Sequence, residues 1–301
     1  MSQPNQERVL QSIFKTVGVD ALSDPRLLEF VATVSAPLAS KMLTQIGLDE
    51  TRKEDFKLLD NGAGLGVVAA EIHRMVDEGV LAKSKIISGD FSESAVEFVR
   101  RLVKKEGWKE TEARVVDAQK TGFPDGEFSH VTMNIGFHVV PDSEAALKDA
   151  ESIRILQPGG TLGFTTWQDQ NAGWAPDFRS ALDSVPFEAP FEMRMQTTQW
   201  GKWSDVNWIR RTLEDLGLED IKVDVLATLQ RIHSAEDYVA CFEMMFKWVI
   251  SSQWSEELRK EHDIEELKGL VREHLQEKYG GRGWDVTWVS IIASARVPGG
   301  E

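Results

Sequence analysis

The residues best suited to chemistry lie in Leu58-Leu59-Asp60-Asn61-Gly62-Ala63-Gly64-Leu65-Gly66-Val67, where an apolar run ends in an acid and a glycine loop leads into a helical pattern. Glycines let a backbone turn tightly and approach a ligand closely, and a helix start supplies free N–H groups. A dinucleotide loop would put its third glycine at position 67, which is Val67. A triphosphate loop would continue as Gly-Lys-Ser/Thr, and nothing of that kind follows. The spacing is instead Asp-x-Gly-x-Gly-x-Gly, through Asp60, Gly62, Gly64 and Gly66. An acid in front of the loop repels a pyrophosphate and suits a cationic amino group. His138 is the general-base candidate, because it follows the fourth apolar run by a few residues, where parallel sheets place their ligands. Its structural alternative is a loop histidine bonded to Asp142. His130 precedes the same run and reads as structural; His73, His262 and His274 read as helix positions, and His233 as an outlying pocket candidate. The histidines and acids lack metal-ligand spacing, so no metal is expected.

The elements that must position these groups follow from the hydrophobic pattern. Short apolar runs at 56–59, 85–88, 113–116, 130–134 and 161–165 read as strands, with helical patterns at 67–77, 94–105 and 143–156 between them. That alternation predicts an α/β fold, a parallel sheet with helices on both faces. The first ~50 residues read as helices, kinked or restarted at Pro37, and Pro158-Gly159-Gly160 is expected to stop the last helix. Residues 221–228 and 286–295 read as two later strands enclosing a long helical insert, 233–281, and 171–203 reads as a second excursion. No Pro/Ser-rich linker appears, so one domain over 1–301 with a cap is expected.

The glycine loop resembles motif I of the class I S-adenosylmethionine-dependent methyltransferases, and the likeness continues. Ile86-Ile87-Ser88-Gly89-Asp90-Phe91-Ser92 resembles that family's second strand, Val115-Val116-Asp117-Ala118 its third, 123–131 the approach to its fourth, and Arg154-Ile155-Leu156-Gln157-Pro158-Gly159-Gly160 its turn into the fifth. The resemblance spans 56–170. It implies a Rossmann-like, seven-stranded, mostly parallel sheet whose last strand is antiparallel, N-terminal helices and a helical cap over the substrate. It implies that Asp60, Gly62, Gly64, Asp90, Phe91, Ser92, Asp117, Ala118 and Asn134 hold S-adenosyl-L-methionine, released as S-adenosyl-L-homocysteine. Asp90 would take the ribose hydroxyls, Asp117 and Ala118 the adenine, and Asn134 the methionine part. Gly136-Phe137, Thr166-Trp167-Gln168, Gly201-Lys202-Trp203-Ser204 and the segments 241–245 and 275–280 are similar to fungal small-molecule enzymes of the gliotoxin dithiol S-methyltransferase type. Those enzymes carry an amide where this chain has His138, which leaves S, O and N open as the accepting atom. A methyltransferase-fold regulator or assembly partner, and an enzyme using the cofactor for non-methyl chemistry, are the alternatives.

Methyl transfer from a sulfonium is an in-line displacement with a good leaving group, so holding the nucleophile in place is most of the task. A thiol, pKa near ~8.5, ionises with little help; a phenol near ~10 gains from a base. Aromatic-lined walls would suit a hydrophobic metabolite, and Phe14, Trp167, Trp203, Met244 and Met245 are the expected substrate contacts. They draw on a chain with ten Trp and fourteen Phe but two Tyr. Composition narrows the partners. Hydrophobic residues at 42% build a core, and a net charge of −15 argues against nucleic acid and anionic membranes. One cysteine, Cys241, and no apolar run near the ~20 residues of a membrane span point to a cytoplasmic protein.

Overall fold

In the computed structural model the described residues are 23–149, 152–192, 196 and 198–300. Phe14 and the helical pattern around it lie outside them. The short apolar runs form one seven-stranded sheet: β1 (Lys57–Asn61), β2 (Lys85–Asp90), β3 (Thr111–Val115), β4 (Phe128–Met133), β5 (Leu156–Ala172), β6 (Glu219–Ile232) and β7 (Trp284–Arg296). Their order is β3-β2-β1-β4-β5-β7-β6. The first five strands run parallel, and β7 pairs antiparallel with both neighbours. Leu58 and Leu59, Ile86 and Ile87, and Ile291 and Ile292 send successive side chains to opposite faces, and all six are buried. Burial on both faces is why these strands read as unbroken apolar runs.

One face carries α1 (Pro25–Phe30), a π-helical segment Val31–Ser35, α2 (Ala36–Gln45) and α3 (Val67–Met75). Pro37, in the first turn of α2, has no N–H for the carbonyl of Thr33, so the helical ladder shifts and restarts, as the sequence implied. Further helices are α4 (Glu78–Leu81), α5 (Glu93–Glu106), α6 (Ala175–Leu182), α7 (Val206–Asp215), α8 (Ala235–Gln253), α9 (Glu256–Glu261) and α10 (Ile264–Tyr279). Ser92 caps α5 through the Ala95 N–H, and Gly107 ends it in the left-handed region. The last three helices and α6 form the cap, tied down by Asp177, which accepts from Lys278 Nζ at 2.9 Å, Tyr279 Oη at 2.7 Å and Trp284 Nε1 at 2.8 Å.

Three expectations change. The helix expected over 143–156 is a short π-helical segment, Ala145–Asp149, and β5 begins at Leu156. Pro158-Gly159-Gly160 does not stop a helix; it makes the irregularity that moves the β4 partner from Leu156 to Thr161. The stretch Pro25–Gln45, 21 residues, is long and apolar enough to cross a membrane by length and composition. Here its Val34, Leu38, Met42 and Leu43 are fully buried in the core, and its Leu27, Phe30 and Val31 line a cavity.

Candidate active site

A cavity of about 990 Å³ runs along the carboxyl edge of the sheet, over the reversal of strand order between β1 and β4. One end is made of backbone and acids. Gly62 (φ +86°) and Gly64 (φ +52°) sit in the left-handed region, which a glycine adopts without strain. The N–H groups of Gly62 and Ala63 both reach the Gly89 carbonyl at 2.8 Å, which ties the loop to β2. Asp90 accepts from the Gly64 N–H at 2.8 Å and the Ser92 N–H at 2.9 Å. Burial pushes its carboxyl above the ordinary value, and those bonds oppose the rise. A carboxylate has about four acceptor positions, so this one retains capacity for a diol. Next to it Phe91, 44% exposed, and Val115, 56% exposed, present apolar surface to the same cavity. Asp117 takes the Gln119 N–H at 2.9 Å and stands on the rim with Ala118.

Asp60 departs from the expectation. It is wholly buried behind the loop, does not line the cavity, and accepts from Thr132 Oγ1 at 3.1 Å. Burial, with the nearby Asp90 charge, pushes its carboxyl up to about 7.

The middle of the cavity follows β4. Asn134 accepts from Thr165 Oγ1 at 2.6 Å and donates to Ser35 Oγ, in the π segment, at 3.0 Å. Ile135 then takes φ +58°, a costly conformation for a branched residue, held by its N–H bond to Thr165 Oγ1 at 2.8 Å. Phe137 drops into the opposite core and stacks on Trp203 with centroids 4.8 Å apart, while His138 lines the cavity. His138 is 3% exposed, with Nδ1 3.3 Å from Thr166 Oγ1. Burial pushes it down to about 3, so the ring is neutral at physiological pH. It is therefore neither an exposed loop residue nor a group that titrates near neutrality.

The far end is aromatic. Trp167, within β5, lies 4.8 Å from Trp288 and 6.4 Å from the His138 ring, and Phe30 packs edge-on against Trp288 at 5.3 Å. Met244 and Met245 of α8 line the same end. Trp203 does not. It is buried across the sheet, its indole N–H donating to Ser143 Oγ at 3.1 Å, because residues 198–203 cross to the face covered by α7. Among the described residues of the 171–203 excursion, Trp174 is the one that lines the cavity. Of the other histidines, His130 is buried beside Ser129 and pushed down to about 4, His73 stacks on Trp108, and His233 faces Glu29 outside the cavity.

Phe30, Ser35, Gln230 and Trp288 line the cavity without having been singled out in the sequence. Trp288 had a signal: Trp284, Val286, Trp288 and Ser290 alternate inward along β7. Phe30 shares the helical spacing of Leu27 and Val34. Gln230 had none.

Residues 58–160 match the family model for the methyltransferase domain. The methyltransferase tpcH of Aspergillus fumigatus is 29% identical over 89% of this chain and 94% of its own length. The acetylaranotin bis-thiomethyltransferase of Aspergillus terreus is 27% identical over 88% of this chain and 91% of its own. A solved structure from Bacillus halodurans, described as that of a methyltransferase, superposes with TM-score 0.52 at 20% identity, covering 86% of this chain and 98% of its own.

Proposed function

We propose that this chain, whose residues 58–160 belong to the methyltransferase family, uses S-adenosylmethionine to methylate a small hydrophobic metabolite at an oxygen or sulfur that arrives protonated. The observation that carries this reading is the single cavity that joins an acid-and-glycine end to an aromatic end, with the neutral His138 between them. Its volume of about 990 Å³ is at the top of the usual range for ligand sites, which suits a cofactor and a metabolite together.

The residues present fit the cofactor. The Gly62–Gly64 turn gives close backbone approach, Asp90 has acceptor capacity for the ribose diol, and Phe91 and Val115 offer apolar surface for a purine. Asp117 and Ala118 stand where an adenine edge would be read, and Asn134 is held rigid for the amino-acid part. Asp90 and Asp117 favour a cationic ligand. When bound, the cofactor supplies a methyl group on a sulfonium.

The chain's own residues then do three things. Trp167, Met244, Met245 and Trp288 exclude water and fix a flat apolar substrate. The Ser35–Asn134–Thr165 chain of hydrogen bonds keeps the junction of the two ends rigid. His138, uncharged, offers an acceptor to the nucleophile's proton. A nucleophile becomes far more acidic as it gains an alkyl group, so an acceptor of low basicity suffices. The relative that methylates thiols supports sulfur, and an imidazole in place of an amide supports oxygen.

The test is to incubate the protein with methyl-labelled S-adenosylmethionine and a fungal metabolite extract, and to read new labelled products by mass spectrometry. A labelled small molecule names both substrate and atom. Absence of S-adenosylhomocysteine binding by calorimetry would sink the reading.

A further inference from the structure

The aromatic end holds one polar side chain whose orientation is fixed without a ligand. Gln230, near the end of β6, is 3% exposed and lines the cavity. Its Oε1 accepts the Trp288 indole N–H at 3.0 Å. An indole nitrogen can only donate, so the amide cannot be reversed and its NH2 group points away from Trp288. Among the described residues no acceptor takes that NH2 group, and the nitrogen is not sealed from the cavity. The same indole is the one against which Phe30 and Trp167 pack, so the donor and the aromatic walls form a single unit.

Charge at this cavity narrows what the donor meets. Its one cationic side chain among the described residues is Arg26, and that guanidinium is occupied by Asp24, with bonds of 3.0 and 2.7 Å. Among the described residues that line the cavity, an anionic substrate would meet Asp90 and Asp117 and no unpaired basic side chain. A neutral acceptor avoids that penalty.

We propose that Gln230 determines substrate specificity by donating its amide N–H to a carbonyl oxygen on a neutral, flat substrate, with Trp288 as the positioning residue that sets the amide. This deepens the methyltransferase reading and rests on it for the word substrate. A hydrogen bond of this kind gives about a 5- to 10-fold preference.

The test uses 9-fluorenone and fluorene, which differ by the single carbonyl, titrated by calorimetry into the whole protein saturated with S-adenosylhomocysteine. The wild type should bind the ketone about 5- to 10-fold more tightly. Gln230→Leu should erase that preference while keeping the hydrocarbon and the S-adenosylhomocysteine affinities within about twofold. Because Gln230→Leu strands the Trp288 N–H, the double variant Q230L/W288F removes both partners and should likewise bind the two probes equally, its affinity for each being lower where the smaller ring thins the wall. The proposal is overturned by equal binding of the two probes to wild type, by a ketone preference that survives in either variant, or by binding of neither probe. Failure of S-adenosylhomocysteine to bind wild type would instead overturn the cofactor reading, and the probe comparison would still be made on the protein alone.

Discussion

The two ends of the cavity are built on different plans. The end proposed to hold the cofactor is made largely of main chain: Gly62 and Gly64 in left-handed conformations, the Gly89 carbonyl and N–H groups that clamp Asp90. The end proposed for the substrate is made of side chains from remote elements, Phe30 from α1, Trp167 from β5, Gln230 from β6, Met245 from α8 and Trp288 from β7. A backbone cradle can be built from one short stretch, because turns and strand ends are local. An apolar wall needs only bulk, which any element that folds over the sheet can supply. The first is accordingly written in a local motif, and the second only in the tertiary fold.

The largest expected effect concerns where the substrate end stops. Trp167 and Trp203 look alike in sequence, yet Trp203 is 1% exposed and packed across the sheet on Phe137 and Phe164. Trp203→Ala should cost about 3–5 kcal/mol of folding stability by denaturant titration. The S-adenosylhomocysteine affinity of the protein that remains folded should not change. Altered affinity without lost stability would put Trp203 back in the cavity.

Next in size is the buried acid behind the loop. The folded-state pKa of Asp60 is raised from 3.8 to about 7, so the folded chain keeps a proton that the unfolded chain has lost. Its contribution is fully present below pH 4 and is lost as pH rises through 7. Asp60→Asn keeps the shape and the Thr132 bond but carries no charge. The variant's advantage over wild type should therefore grow from pH 5 to pH 8, by on the order of 3 kcal/mol at ~1.4 per pKa unit. A constant difference across that range would mean that Asp60 is ionised throughout.

The contrast between the ends also explains what was legible in the sequence. Asp60, Gly62, Gly64, Asp90 and Asp117 sit at strand ends, and a strand end is marked by where an apolar run stops. The seven-strand count and the antiparallel last strand came with the family resemblance and not from periodicity. The helix expected over 143–156 failed because Ile155 and Leu156 serve a strand entrance, which a 3.6-residue period does not distinguish over so short a run. Trp203 misled because the 171–203 segment crosses the sheet, and nothing local marks a crossing. Gln230 was invisible because its meaning depends on Trp288, its neighbour through strand pairing alone.

Removing the shared acceptor should separate the ends. Asp90 binds two loop N–H groups and has capacity left for a diol. Asp90→Ala should weaken S-adenosylhomocysteine binding about 100-fold, since hydrogen bonds to a charged group contribute roughly 1.5–3 kcal/mol each. Binding of 9-fluorenone without cofactor should be unchanged. Equal losses at both ends would show that the cavity is one cooperative unit.

The smallest expected effect is a null, and it bears on the residue between the ends. A histidine near its ordinary pKa of ~6.5 would be about a quarter neutral at pH 6 and almost wholly neutral at pH 8.5, so a rate depending on it would rise about fourfold. His138 is held neutral over that whole range because burial pushes it down to about 3. His138→Gln keeps a hydrogen-bond acceptor but cannot take up the proton, and it should slow turnover of the metabolite found by labelling. The ratio of wild-type to variant kcat should stay constant from pH 6 to pH 8.5, since other titrations cancel in it. A fourfold rise would show that bound substrate and cofactor return His138 to an ordinary base.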